Sequence, residues 1–146
     1  MSTTGLEVFD DTVHKTNSWL KEISQTVGLD RRAAYQALRA VLHALRDRLS
    51  FDEAAHLGDQ LPMLVRGIYF EAWHPAGKPE KIRSREQFSE SVEAHLANPT
   101  ISPEEAARAV FHVLAHHLDP GEIRHVVSEL PNEIRTLWPK QAGQAA

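Results

Sequence analysis

The sequence predicts an all-α protein, a duplicated helical bundle in which two pseudo-twofold-related repeats of about four helices each form one compact domain. Three observations predict this fold. Apolar residues recur at spacings of three and four, which is the periodicity of one helical face; helix-start signals precede these apolar stripes; and residues 31–69 match residues 100–138 without a gap. The chain of 146 residues, with 42% hydrophobic and 25% charged residues, is long enough to bury a core.

The internal match relates positions that lie 69 residues apart. Twelve of the 39 aligned pairs are identical, whereas unrelated stretches of this length share about 2–3 identities by chance. The same Leu-Pro step occurs at Leu61 and at Leu130, and it marks a break between two consecutive helices because proline can start a helix but not continue one. Neither half carries enough apolar surface to be stable alone, so we expect the halves to pack on each other.

The first repeat is predicted over residues 1–73. Gly28 ends its first helix because glycine readily adopts the left-handed conformation of a helix end. Ser50, with Glu53 three residues later, is a start signal for the third helix. The longest apolar stripe consists of Tyr35, Leu38, Leu42, Leu45 and Leu49. The predicted helices span residues 11–27, 31–48, 51–60 and 62–73.

A linker at 74–83 is predicted to lead into the second repeat, residues 84–138. Its apolar stripe, which we expect in the core, consists of Ala107, Phe111, Leu114 and Leu118. Residues suited to capping precede three of its helices, namely Ser84, Ser102 and Asp119. The predicted helices span residues 85–97, 103–118, 120–129 and 132–138. Residues 139–146 are predicted to be a flexible tail.

Composition excludes several classes of function. The absence of cysteine excludes disulfides, thiol nucleophiles, cysteine-based zinc sites and iron–sulfur clusters. The sequence has no phosphate-cradling glycine loop and no nucleophile elbow, which argues against NTPases, dehydrogenases and serine hydrolases. It also has no apolar run long enough to span a membrane and no secretory signal. We therefore expect a cytoplasmic protein without enzymatic activity, cofactor or membrane contact.

The charge argues against nucleic acid as a partner. The net charge is −4, whereas binding to nucleic acid requires Lys and Arg to neutralise phosphates. One stretch, residues 77–85, is locally basic because it contains Lys78, Lys81, Arg83 and Arg85. A solvated linker explains this stretch better than a binding patch does.

Histidines suggest a metal site. His112 and His116 lie one helical turn apart, a spacing that lets two imidazoles face one ion. Asp47 occupies the position matched to His116, and His43 is matched to His112, so the four residues could form a site between the repeats. The alternative is that His43 and His112 are partly buried imidazoles hydrogen-bonded to backbone or carboxylate groups. The sequence favours this structural role because no HExxH motif is present.

Two further pairs recur at matched positions. Glu53 and Glu122 could form a carboxylate pair for acid–base chemistry, but both follow a cap residue by three positions, so we interpret them as capping carboxylates. Arg66 and Arg135 could bond such carboxylates between helices, or they could bind an anion.

Aromatic residues end the fourth helix of the first repeat. Tyr69, Phe70 and Trp73 are interpreted as core anchors. If they are exposed, they form with Arg66 and Arg135 a candidate binding surface.

The sequence resembles a known family. The run YQALRAVLHALRDRLSFDEAAHLGDQLPMLVRGIYFEAW, followed by GKPEKIRSREQF, is similar to the bacterial proteins grouped as domain of unknown function 2267. The resemblance covers nearly the whole chain and implies an all-helical, duplicated domain. It implies no activity, cofactor or catalytic residue.

These observations predict a non-enzymatic helical interaction module that associates with itself or with another cytoplasmic protein. The alternative is a metal- or anion-binding protein that uses His43, Asp47, His112 and His116.

Overall fold

A computed structural model describes residues 4–140 and 142 of the chain, and within them it contains eight α-helices and no strand. This confirms the all-α prediction. The helices are α1 (Glu7–Val27), α2 (Arg31–Arg48), α3 (Phe51–Gln60), α4 (Met63–Phe70), α5 (Arg85–His95), α6 (Pro103–His117), α7 (Pro120–Ser128) and α8 (Asn132–Arg135).

The predicted start signals form caps. The side chains of Ser50, Ser102 and Asp119 each accept a hydrogen bond from a backbone N–H of the first turn that follows. Ser84 goes further, because the side chain of Gln87 also accepts from the Ser84 N–H and completes a reciprocal capping box. These bonds satisfy N–H groups that have no partner within the helix, which explains why the helix starts could be predicted from local sequence.

Three helix ends differ from prediction. Helix α1 begins at Glu7 rather than at residue 11, α4 ends at Phe70 rather than at 73, and α8 is a single turn. Helix α4 ends early because the guanidinium of Arg46 donates to the carbonyl oxygen of Glu71, and because Ala72 adopts a positive φ of 58°. The end of α1 is as predicted, since Gly28 takes the left-handed conformation with φ 67°.

Helices α2 and α6 form the centre of the core. All of the predicted stripe of α6 is buried, and so is the stripe of α2 from Leu38 to Leu49. Tyr35 is the exception, since it is 39% exposed near the start of α2. Helix α1 packs against α2 and α6 with Trp19 and Ile23, and α5 packs against the same pair with Phe88 and Val92.

Helix α3 packs against α4 and also against α7. The second contact joins segments that are far apart in the chain, and it determines the surroundings of the matched glutamates Glu53 and Glu122.

The predicted linker is bonded to the helical core. The N–H of Glu80 donates to the carbonyl oxygen of Asp47 at 2.8 Å, and Nε of Arg48 donates to the carbonyl oxygen of Ile82 at 2.7 Å. Of the predicted tail, Ala142 is buried and its N–H donates to the Pro139 carbonyl; Gln141 and residues 143–146 lie outside the described residues, as do residues 1–3. Each helix in the described ranges is too short or too polar to cross a membrane.

Candidate functional site

His43, one of the four predicted metal ligands, lies inside the protein and is bonded to the backbone. Its Nε2 lies 2.7 Å from the carbonyl oxygen of Ile68, and its ring meets that of His95 edge-on. Burial lowers the pKa of both imidazoles below the usual value. A neutral His43 that donates from Nε2 therefore ties α2 to α4.

Asp47 lies in a buried ion pair. Nε of Arg46 donates to its carboxylate at 2.9 Å, and both side chains are almost completely shielded from solvent. The same guanidinium donates to the carbonyl oxygens of Tyr69, at 2.7 Å, and of Glu71, at 3.0 Å. The burial of Arg46 was not predictable from the sequence, because an arginine next to an apolar stripe usually extends its charge into solvent.

His112 and His116 lie on the exposed side of α6, with ring centroids 6.5 Å apart. Nδ1 of His116 lies 2.9 Å from one carboxylate oxygen of Glu22, and His117 bonds the other oxygen through Nε2. Burial of Glu22 opposes ionisation, but the bonds and charges of the two histidines outweigh it and lower the pKa of the carboxyl. Glu22, His116 and His117 are close enough to share an ion.

The four predicted metal ligands therefore lie in two separate places. His43 and Asp47 are buried within α2, whereas His112 and His116 face solvent on α6. Among the described residues, His116 is the one member of the four that belongs to a group of three possible ligands.

A second such group was not anticipated. We call Glu53, His56 and Glu122 the carboxylate–histidine cluster; it lies where α3 packs on α7. Nδ1 of His56 lies 2.5 Å from Oε2 of Glu122 and 3.7 Å from Oε2 of Glu53. Glu53 is 9% exposed and Glu122 is 5% exposed. The cluster thus brings together two buried carboxylates that are 69 residues apart in the sequence.

The capping role predicted for these glutamates is wrong. The N–H of Ser50, which Glu53 would have to accept, donates instead to Glu129 at 2.9 Å. Oε2 of Glu53 and Oε1 of Glu122 are buried and have no hydrogen-bond partner. The predicted starts of α3 and α7 are confirmed. The two carboxylates nevertheless point away from the backbone, because the α3–α7 contact places them face to face.

Electrostatics at the cluster favour a proton or a cation. Burial raises the pKa of the Glu53 carboxyl to about 8, and the neighbouring Glu122 and Glu129 add to the effect. Outside the pair, a cavity of about 330 Å³ opens to solvent and is lined in part by His56 and His125. The arrangement can therefore hold a shared proton or bind a small cation that enters from this cavity.

Arg66 and Arg135 bind helix ends. Nε of Arg66 donates to the carbonyl oxygen of Gly58 at 3.2 Å, and its NH2 group donates to that of Leu61 at 3.0 Å. Arg135 repeats the arrangement at the end of α7, with Nε donating to the carbonyl oxygen of Leu130 at 2.7 Å. Both guanidinium groups satisfy unpaired helix carbonyls rather than bonding the matched glutamates.

The predicted aromatic surface is divided between core and surface. Tyr69 is buried, and its hydroxyl donates to the carbonyl oxygen of Ala54 at 2.7 Å. Phe70 and Trp73 are half-buried, and Phe51 stacks on Trp73. The core interpretation is therefore correct for Tyr69, whereas the neighbouring rings form an edge at the surface, where Phe51 is 55% exposed.

A larger apolar surface lies elsewhere. It surrounds a groove of about 430 Å³ between α1, the start of α2 and α4. We call this surface the apolar groove, and its most exposed members are Phe9, Val13, Tyr35, Met63 and Leu64. The sequence did not predict this surface, because the first turn of α1 lay outside the predicted helix. The helical spacing of Phe9 and Val13 was therefore not recognised.

Comparison with known proteins gives a family. Residues 16–137 match the model of the family described as Uncharacterized conserved protein (DUF2267). No curated protein matches the sequence.

Proposed function

This chain belongs to the DUF2267 family of uncharacterised conserved proteins, and we propose that it is a non-enzymatic helical interaction module that acts in a bacterial cytoplasm. In this proposal the module consists of two sequence-related repeats, residues 1–73 and 84–138, that pack into one domain. The matched roles of Arg66 and Arg135, each of which donates to carbonyl oxygens at the end of the preceding helix, support the duplication. The observation that carries the interaction role is the apolar groove.

The apolar groove has the composition of a contact surface. Phe9 and Val13 are 44% and 38% exposed, and they lie four residues apart on one face of α1. Met63 and Leu64, which are 48% and 42% exposed, form the opposite wall at the start of α4. Scattered exposed apolar residues are ordinary in soluble proteins, but a contiguous set around a groove is typical of a binding site.

A second copy of the chain is the partner that we propose. Phe9 and Val13 on α1 form one wall of the groove, opposite Met63 and Leu64. In a twofold contact the grooves of the two copies face each other, so the same surface serves on both sides and each copy covers the apolar residues of the other. The ion pair between Arg39 and Glu71, with 2.8 Å between Nε and Oε1, lies at the edge of the groove and supplies polar groups at the rim.

Sedimentation over a range of protein concentrations tests this proposal. We expect the unmodified chain to dimerise and Val13→Asp or Leu64→Asp to remain monomeric, because each places a charge in the groove. Val8→Asp is the matched control, since Val8 is 52% exposed on the same helix but does not line the groove. A chain that is monomeric at every concentration would contradict the proposed partner.

Metal binding is a second candidate function, in keeping with the predicted use of His43, Asp47, His112 and His116. The observation that favours it is the grouping of His116 with Glu22 and His117 near the surface. Metal analysis of the purified protein, compared with His116→Ala, tests it. An unchanged metal content in the variant would argue against a role for His116.

A further inference from the structure

We propose that the carboxylate–histidine cluster of Glu53, His56 and Glu122 binds one divalent transition-metal ion, such as Zn²⁺ or Mn²⁺, between α3 and α7. This goes beyond the interaction role, and it uses residues other than those of the apolar groove and of the predicted histidine set.

The geometry of the cluster suits one ion. One ligand atom from each of the three side chains lies within 4.8 Å of the other two. Metal–ligand distances of about 2.0–2.2 Å allow two ligands of one ion to be separated by up to about 4.4 Å. Glu53 and His56 lie three residues apart on α3 and therefore project to the same side, and Glu122 faces them from α7. The three ligand atoms therefore lie close to the separations that coordination of one ion requires.

Buried oxygen atoms without partners are a second, independent observation. Oε1 of Glu122 and Oε2 of Glu53 are both buried, and neither has a hydrogen-bond partner. The Glu122 side chain as a whole is only 4% exposed. Buried polar atoms are almost always satisfied in folded proteins, because a buried atom without a partner has lost its hydrogen bonds to water and gained none in exchange. A proton shared between Glu53 and Glu122 would bond the two carboxyls to each other, and a metal ion in its place would serve both carboxylates at once.

The charge balance points the same way. Two facing carboxylates carry two negative charges when both are ionised, and within the described ranges their close contacts with basic side chains involve His56 and no lysine or arginine. The nearby Glu129 adds further negative potential, although it is itself bonded to Ser50. A divalent cation neutralises the pair without requiring a lysine or arginine, and it leaves His56 neutral and free to ligate.

The ligand set also indicates the class of metal. An imidazole nitrogen with two carboxylates suits Zn²⁺, Mn²⁺ and their neighbours, whereas Mg²⁺ and Ca²⁺ prefer oxygen ligands throughout. Three protein ligands leave a position for water, which the adjoining cavity of about 330 Å³ can provide. Asp119 and His125 line that cavity, so polar groups surround the open side of the site.

The sequence gives each half the same pair of ligand types. Glu53 is followed by His56 in the same way that Glu122 is followed by His125. In the structure His56 reaches the opposite carboxylate, whereas His125 lies on the cavity wall. The proposed site therefore takes both ligands of the first half and only the glutamate of the second.

Isothermal titration of chelator-treated protein with Zn²⁺, and separately with Mn²⁺, tests the proposal. We expect one ion per chain at this site. His56→Ala and Glu122→Gln should each weaken the affinity by more than about 100-fold, since loss of even an indirect partner of a ligand typically costs about 10–100-fold. Glu122→Gln is close in shape to the original residue and removes a buried charge, so circular dichroism should show a folded protein.

The exposed group on α6 provides the matched control. The double variant His116→Ala/His117→Ala removes two surface imidazoles but leaves the carboxylate–histidine cluster intact, so it should keep the high-affinity site. The proposal is overturned if the unmodified chain binds neither ion, if His56→Ala and Glu122→Gln bind as tightly as it does, or if the α6 double variant abolishes binding. These outcomes are independent of the sedimentation results for Val13→Asp.

Discussion

The two matched halves of the chain differ most where polar groups are buried. In the first half, His43, Arg46 and Asp47 lie inside the protein, and the first two bond carbonyl oxygens at the end of α4. In the second half, the matched residues are His112, Ala115 and His116, and both histidines face solvent. The first half thus attaches its fourth helix to α2 by buried hydrogen bonds, whereas in the second half an exposed bond joins α6 to the end of α8, from Arg108 to the carbonyl oxygen of Thr136 at 3.1 Å.

The second half relies on aromatic packing at the matched place. Trp138 stacks on Phe111 with 4.1 Å between ring centroids, and the indole Nε1 is buried without a hydrogen-bond partner. The residue matched to Trp138 is Tyr69, whose hydroxyl is bonded to the backbone. The buried apolar stripe is therefore common to both halves, whereas the polar contacts beside it differ between them.

The largest effect is expected for Arg46→Met. The change leaves Asp47 buried without its partner and frees the carbonyl oxygens at the end of α4, which should cost about 3–5 kcal/mol of unfolding free energy, as loss of one partner of a buried pair does. Urea denaturation followed by circular dichroism measures it. Arg39→Met is the control, because its ion pair with Glu71 is exposed and such pairs are worth about 1 kcal/mol or less. Equal costs for the two variants would contradict the importance of the buried ion pair in the first half.

The next-largest effect concerns the buried apolar stripe that both halves share. Leu45 and Leu114 are matched in sequence and both are completely buried. We expect Leu45→Ala and Leu114→Ala each to lower the unfolding free energy by about 2–5 kcal/mol, as buried leucine truncations do. Urea denaturation of both variants tests this, and a negligible cost at either position would show that the two stripes are not equivalent.

A smaller effect is expected where the halves differ in volume. Gly58 is matched to Val127, but a Cβ built on Gly58 overlaps the ring of Phe70 and lies against Tyr69. Gly58→Val should therefore cost about 1–3 kcal/mol through overpacking, and it should alter the fluorescence of Trp73, which contacts Phe70.

Gly67→Ala is the control for this change. Gly67 also lies within a helix, but nothing stands within 4 Å of its added Cβ. Its replacement should stabilise the protein by up to about 1 kcal/mol through helix propensity. A stabilising Gly58→Val would contradict the close packing of α3 on α4.

The last expected effect concerns pH. The pKa of Glu53 rises from an ordinary 4.5 to about 8 in the folded protein. The folded state therefore holds this proton more tightly, so the stability that protonation supplies is fully present below pH 4.5 and is lost as the pH rises through about 8.

Glu53→Gln tests this dependence, since it replaces the carboxyl with a group that cannot ionise. Thermal unfolding in chelator-containing buffer should show a stability advantage of the variant that grows over this range. Glu90→Gln, on the exposed side of α5, serves as the control. Parallel pH profiles of Glu53→Gln and the unmodified chain would contradict the buried carboxylate pair.

Helix positions could be predicted because their signals are local. A cap such as Ser102 satisfies an N–H group only three residues away. The spacing of Leu38, Leu42 and Leu45 indicates which side of α2 is buried. The ends of α4 and α8 were less predictable. The end of α4 depends on Arg46, which approaches from another helix.

The candidate site was not predictable in the same way. The matched spacing of Glu53 and Glu122 was visible in the sequence, and both residues belong to the carboxylate–histidine cluster. Their local surroundings indicated capping, whereas the structure directs both side chains into the α3–α7 contact and adds His56. The signal that could have identified the cluster was the repeated Glu-x-x-His spacing, which places both ligand types on one face of a helix.

The helices, their caps and the buried stripes of this protein follow from its sequence, because each depends on side chains within one or two turns of each other. Which polar side chains contact each other depends instead on how the helices pack together. The helices of a bundle can satisfy their own backbones wherever they dock, so whether a glutamate caps its helix or faces another carboxylate depends on desolvation and charge at contacts between residues far apart in the chain.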